Sequence, residues 1–203
     1  MREEKLSPKV KALYDAVIEL IAADIDIKEM TVSDITGKAG IGKGTAYEYF
    51  SNKEEIISSA LLYHIDRICS YVMEHLDEFA DFKDMLHFIL KCMDEEIVRS
   101  GCFIKFVHLL TDNGTVSRSL KKQIHESSKE GICMPDELID RIITKGIEDG
   151  SIKSEFPRSY MKMALIAKLL SYAFYVSDGC MKKEYNQEQM QQMICDSLLK
   201  ELN

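Results

Sequence analysis

Three prolines and ten glycines are all that punctuate 203 residues. So few turn formers exclude a sheet protein with many short strands, and the apolar–polar alternation of a half-buried strand is scarce. An all-α chain of long helices is expected. The six cysteines, Cys69, Cys92, Cys102, Cys133, Cys180 and Cys195, lack any C-x-x-C pair or Cys/His spacing of the zinc type. They read as reduced thiols, mostly packed as small apolar groups. No apolar run approaches the roughly 20 residues needed to cross a bilayer, and the charged start MREEKLSPKVK is unlike a secretory leader. A cytoplasmic location with no membrane partner is therefore expected. Also missing are an H-E-x-x-H motif, a nucleophile elbow and a motif-bound pair of carboxylates. The expectation is a non-enzyme without cofactor or metal. His64, His87, His108 and His125 have no acids or thiols at ligand spacing and read as hydrogen-bonded scaffold.

What is present is a core-forming helical chain, 46% hydrophobic, with one dense motif. The motif is TVSDITGKAGIGKGTAYEYFSNKEEI, from Thr31 to Ile56. Thr31 and Asp34 stand at the spacing of a capping box, so a short helix starts near Val32. Val32, Ile35 and Ala39 supply its apolar face, and Gly40 suits the left-handed turn that ends it. Ile41 is expected to plug the angle between helices. Gly42-Lys43-Gly44-Thr45 opens a second short helix, whose lack of bulk lets its backbone approach a phosphate or a base edge. Lys43, Thr45, Tyr47 and Tyr49 then face outward or edge the groove, and Phe50 turns inward. This is the spacing of a DNA-reading helix-turn-helix.

The segment closely resembles the N-terminal DNA-binding domain of the tetracycline-repressor (TetR) family of bacterial transcription regulators. Thr31, Val32, Asp34, Ile35, Ala39, Gly40, Ile41, Lys43, Gly44, Thr45, Tyr47, Tyr49, Phe50, Lys53 and Glu54 carry the likeness, which covers about the first quarter of the chain. Beyond it only length and helical rhythm agree. The resemblance implies a three-helix DNA-binding domain over residues 1–52 and a larger helical ligand-binding and dimerisation domain over residues 53–203. It further implies a ligand-responsive regulator, most often a repressor, acting as a homodimer on a duplex operator with two half-sites. The DNA-facing set is Thr31, Lys43, Gly44, Thr45, Tyr47, Tyr49 and Lys53. Lys43 and Thr45 are the candidates for base edges, Tyr47 and Tyr49 for phosphates. Lys53, where a helix dipole already favours an anion, adds a further phosphate contact whose removal should flatten the salt dependence of binding by about 1 unit. Lys38 reads as a solvated charge.

The net charge of −8 argues against DNA binding until its position is considered. From Ile35 to Lys53 the cations Lys38, Lys43 and Lys53 face Glu48 alone, whereas acids outnumber bases from Glu54 onward. Residues 1–53 as a whole are not basic. Binding is therefore expected to lean on helix N-termini, hydroxyls and dimer doubling.

Hydrophobic spacing predicts a first helix from Pro8 to Ala23, with Ser7 as its cap and Val10, Leu13, Val17, Ile18 and Ile21 on its buried face. Ser51 or Asn52 should cap a long helix, with Ser51 and Glu54 at capping-box spacing, that runs to about Asp77 and mechanically links the reader to the body. Later segments are expected at Asp84–Arg99, Cys102–Thr111, Val116–Glu130, Pro135–Asp149, Pro157–Asp178 and Glu188–Leu202. The stretch SYMKMALIAKLLSYAFYV is apolar all round, so a second subunit should cover it. The predicted interface is Ala164, Ala167, Leu170 and Phe174 with Met190, Met193, Ile194 and Leu198, as the family's last two helices imply. A small apolar or amphipathic inducer is expected in a cavity drawn from Tyr63, Tyr71, Phe88, Cys92, Cys102, Phe103, Phe106, His108 and Tyr172, although a residue of this kind at helical spacing is more often plain core.

Two rival functions stay open on the sequence alone. Gly37, Gly42 and Lys43 match part of a nucleotide-binding phosphate loop, but Gly44 stands where a hydroxyl must hold Mg²⁺. A thiol-based redox sensor on the same scaffold would use Cys102 or another thiol, and Lys105 stands one turn from Cys102 to favour its thiolate.

Overall fold

The computed structural model describes residues 6–127, 135–177 and 184–203, and every regular element among them is helical. In chain order these are α1 (Pro8–Ala22), α2 (Val32–Ala39), α3 (Lys43–Tyr49), α4 (Lys53–His75), α5 (Phe82–Arg99), α6 (Cys102–Thr111), α7 (Thr115–Ser127), α8 (Pro135–Glu148), α9 (Arg158–Ser177) and α10 (Gln187–Leu202). Cys133, Cys180 and the ends expected for α7 at Glu130 and α9 at Asp178 lie outside the described residues. No described helix is long and apolar enough to cross a membrane.

The chain forms two compact units. One comprises Met1–Asp66 with Arg99–Ile132, the other Arg67–Val98 with Cys133–Asn203. The boundary at 52/53 expected from the sequence divides roles, and it is taken up as a proposal below.

In the first unit α1 begins with Pro8 in its first turn, where the missing N–H is no loss. Ser7 occupies the cap position without capping; its hydroxyl instead meets that of Tyr49 at 3.3 Å. Leu13 and Val17 of α1, Met30, Ile35, Ala46 and Ile56, Ile57 and Leu61 of α4 are fully buried together as its core. Asn52, one of the two expected caps, opens α4, and the acid that reaches back differs by one residue from the one expected. The Glu55 N–H donates to Asn52 Oδ1 at 2.9 Å, and Glu55, not Glu54, reaches back to the Ser51 N–H at 2.7 Å. A polar seam joins α4 to α7: Ser58 and Ser119 hydroxyls lie 2.8 Å apart, and Gln123 Nε2 donates to Ser58 at 3.0 Å.

In the second unit α4 ends at His75 in a short 3-10 turn, Leu76–Glu78, and Asp81 caps α5 by accepting the Asp84 N–H at 2.9 Å. Apolar residues of α5, α8, α9 and α10 share one core, among them Leu86, Leu90, Ile142, Leu165 and Leu202. Within it sits a polar knot. Tyr172 of α9 donates its hydroxyl to Asp94 of α5 at 2.7 Å, while Gln191 of α10 donates to Asp94 at 2.6 Å and to the Tyr172 oxygen at 2.9 Å. Burial, then the Asp94 carboxylate beside it, push the Tyr172 phenol well above its usual pKa, so it stays a donor.

Two residues expected at a dimer interface are corrected here. Ala164 and Leu198 point into their own unit's core, at 4% and 0% exposure. The outward side of α9 is instead Met163, Ile166, Ala167 and Phe174, with Leu170 half-buried, and Met193 of α10 is also exposed. Met190 and Ile194 are half-buried and pack against the core.

Candidate nucleic-acid interface

The reader is assembled by local chemistry. Thr31 Oγ1 accepts the Asp34 N–H at 3.2 Å while the Asp34 carboxylate accepts the Thr31 N–H at 2.8 Å and its hydroxyl at 2.6 Å. These bonds satisfy donors that a helix start leaves orphaned, and they hold the Asp34 carboxyl below the usual range. At the other end of α2, Gly40 takes φ +68°, its N–H reaches Gly37 O at 3.4 Å, and the Ile41 N–H reaches Thr36 O at 3.1 Å. That paired closure reverses the chain in a single residue.

Behind the turn, α3 is pinned by Ala46 and Phe50, at 0% and 8% exposure, with the Phe50 ring 5.9 Å from that of Tyr14. Pinning that face turns Lys43, Gly44, Tyr47 and Glu48, which recur at helical spacing, toward solvent. Tyr47 is 54% exposed. Thr45 is half-buried at the edge, and Tyr49 is exposed with its hydroxyl near Ser7. Ile41 is half-buried, less deeply set than the plug expected. A Cβ added at Gly42 or Gly44 meets no heavy atom within 4 Å, so nothing inside the protein requires glycine at either place.

The charges divide sharply. Lys38 is paired with Glu19 at 2.9 Å, and Lys53 donates to the carbonyls of Lys28 and Met30, both at 3.0 Å. The Lys53 ammonium thus ties the turn before α2 to the start of α4, rather than lying open for phosphate. Lys43 carries its charge on the exposed face of α3.

The residues predicted to line an inducer cavity are divided between the two units, Tyr63, Cys102, Phe103, Phe106 and His108 in the first and Tyr71, Phe88, Cys92 and Tyr172 in the second. Cys102, Phe106 and Tyr172 are buried, and the Tyr63 ring lies tilted with its centroid 5.3 Å from that of Tyr14. Tyr71 and Phe88 join His75 and Phe79 in an aromatic cluster, while Cys92 and Phe103 are half-buried. His108 lines a cavity of about 400 Å³ whose other walls are Asp26, Ile27, Lys28, Lys53, Glu54, Lys105, Leu109, Asp112, Gly114, Thr115 and Val116. The sequence reading missed these residues because they come from three distant stretches with no common periodicity. Cys92, Cys102 and Cys195 give a redox sensor little to work with. Cys102 is 0% exposed, and burial pushes Cys92 up to about 11 and Cys195 up to about 12. Among the described residues no three His, Cys, Asp or Glu side chains gather as metal ligands.

A capped short helix, a one-residue left-handed turn and a second helix pinned on one side and bare on the other define a helix-turn-helix DNA-binding regulator. The model of the tetR family of bacterial regulatory proteins matches residues 14–60. The fatty acid metabolism regulator protein of Bacillus subtilis (strain 168) is 30% identical over 152 residues, which cover 72% of each chain. The chain belongs to the tetR family of transcription regulators. Its fold is shared with the fatty acid degradation regulator FadR of Bacillus halodurans, at TM-score 0.72 and 21% identity over 96% of each chain. FadR of Bacillus subtilis, solved in complex with stearoyl-CoA, aligns with TM-score 0.71 and 19% identity over 95% of this chain and 99% of that one.

Proposed function

We propose that this regulator is a repressor, binding as a homodimer to an operator of two half-sites and released by a small amphipathic molecule. Residues 1–52 act as the reader and residues 53–203 as the ligand-binding and dimerising body. The observation that carries the reading is the exposed face of α3, where Lys43, Gly44 and Tyr47 stand clear of the protein. Lys43 and Thr45 are assigned to base edges, and Tyr47 and Tyr49 to phosphates. Thr31 serves by capping the helix that orients α3, and Lys53 by tying the turn at Lys28 to α4. The apolar outward side of α9 is the surface offered to a second copy, because single exposed apolar residues are ordinary but a contiguous row asks for cover. Two readers so joined need half-site centres about 34 Å apart, or a multiple of that.

The relative solved with stearoyl-CoA makes a long-chain acyl-CoA the first inducer to try. An inducer acts only through its preference for one of two spacings of the readers. Fluorescence anisotropy on DNA from the promoter of the chain's own gene, with and without stearoyl-CoA, tests the reading together with a transcriptional reporter. Tight binding, release by the acyl-CoA and a rise in transcription on gene deletion are expected. A fall in transcription on deletion would make the protein an activator, and binding indifferent to acyl-CoAs would exclude that inducer class.

A further inference from the structure

We propose that the cavity in the first unit is a binding site for a small organic anion with a short apolar tail, distinct from the site of the acyl-CoA inducer. The cavity, about 400 Å³, falls in the size range of ligand pockets. Its floor is apolar: Ile27, Leu109 and Val116 are 6%, 8% and 6% exposed, and they leave the open side to polar groups.

The polar groups on its wall are not equally committed. Asp26 accepts the Lys28 N–H at 2.8 Å, and Glu54 takes the Thr115 hydroxyl at 3.5 Å. The Asp112 carboxyl is held below the usual range first by the backbone N–H of Asn113, then by that of Gly114, with the charges of Lys28 and Lys121 adding to them. The Lys53 ammonium is occupied by two carbonyls. Lys105 differs. It is half-buried on α6, and among the described residues no carboxylate lies within 4.0 Å of its ammonium and no acceptor bonds it. A half-buried lysine beside an apolar floor, its ammonium without a partner among the described residues, is complementary to a carboxylate or phosphate monoester carrying a few methylenes.

Such a ligand would contact three stretches at once: the turn at Asp26–Lys28, the first turn of α4, and α6 through the start of α7. The turn leads directly into the Thr31 cap of α2, and Lys53 opens the helix that follows α3. Occupancy is therefore expected to stabilise this unit and to change operator affinity.

Calorimetric titration of the full chain with hexanoate, hexyl phosphate, inorganic phosphate and hexanol tests the site. At least one of the two anionic amphiphiles should bind more tightly than hexanol or inorganic phosphate, and which of them wins decides between carboxylate and phosphate. Lys105→Gln should weaken that binding about tenfold, the share of one charge-assisted hydrogen bond, and Lys105→Arg should restore it. If Lys105→Gln melts early, Lys28→Gln on the exposed turn gives the same reading. Hexanol binding as well as hexanoate, no heat from either amphiphile, or an affinity unchanged in Lys105→Gln would each overturn the proposal.

Discussion

Position 44 has room for a methyl group that the protein does not use. A Cβ there would touch nothing within 4 Å, yet glycine inside a helix costs about 0.5 kcal/mol or more against alanine. Gly44→Ala is therefore expected to raise stability slightly while weakening operator binding, because the added methyl meets only what docks on α3. Urea melting and anisotropy check the pair, and tighter binding by this variant would remove α3 from close approach to the duplex. Thr31→Ala should lose about 1 kcal/mol, the ordinary worth of an N-cap, with α2 fraying first. The Asp34 carboxyl that completes this box is lowered by the Thr31 hydroxyl, the Thr31 N–H and, more weakly, Lys43. Its contribution is present above the unfolded carboxyl's pKa and disappears as pH falls through the lower folded value. Asp34→Ala should accordingly show a shallower acid limb in melting temperature against pH, and a curve parallel to the parent would reject that account.

Elements whose determinants lie within a few residues were legible in the sequence, and those fixed by distant packing were not. Thr31 with Asp34, Gly40 with Gly37 and Ile41 with Thr36 are separated by three to five residues, so cap and turn follow from local bonding alone. The acid that closes the cap of α4 slipped by one position because Ser51 and Asn52 both cap well and Glu54 and Glu55 both reach back; the extended backbone at Phe50, set by burying its ring, decides between them. Lys53 was read as a phosphate ligand because nothing near it in sequence announces the carbonyls of Lys28 and Met30. With its ammonium so engaged, Lys53→Ala is expected to lower the melting temperature and leave the salt slope of operator binding nearly unchanged. A slope flattened by about 1 unit would show that the side chain swings out to phosphate on DNA.

At the scale of the whole molecule, α9 defeats reading by periodicity since it is apolar on every side; only packing tells Ala164 and Leu165, which face in, from Met163, Ile166 and Phe174, which face out. Phe174→Glu should then yield monomers by light scattering with an unaltered helical content, and operator affinity should fall as the second half-site is lost. A dimer that survives this charge would move the subunit contact elsewhere. The tie between Tyr172, Asp94 and Gln191 bears on how α9 and α10 find their seating. Leucines and methionines tolerate sliding: a slip of one helical turn, about 5.4 Å, would set one greasy side chain against another at little cost. The same slip would take the Tyr172 and Gln191 donors from the Asp94 carboxylate, a penalty of about 1–3 kcal/mol. Three hydrophilic side chains from three helices thus work as a key, accepting a single alignment of the pair and rejecting the near-misses that oil alone would permit.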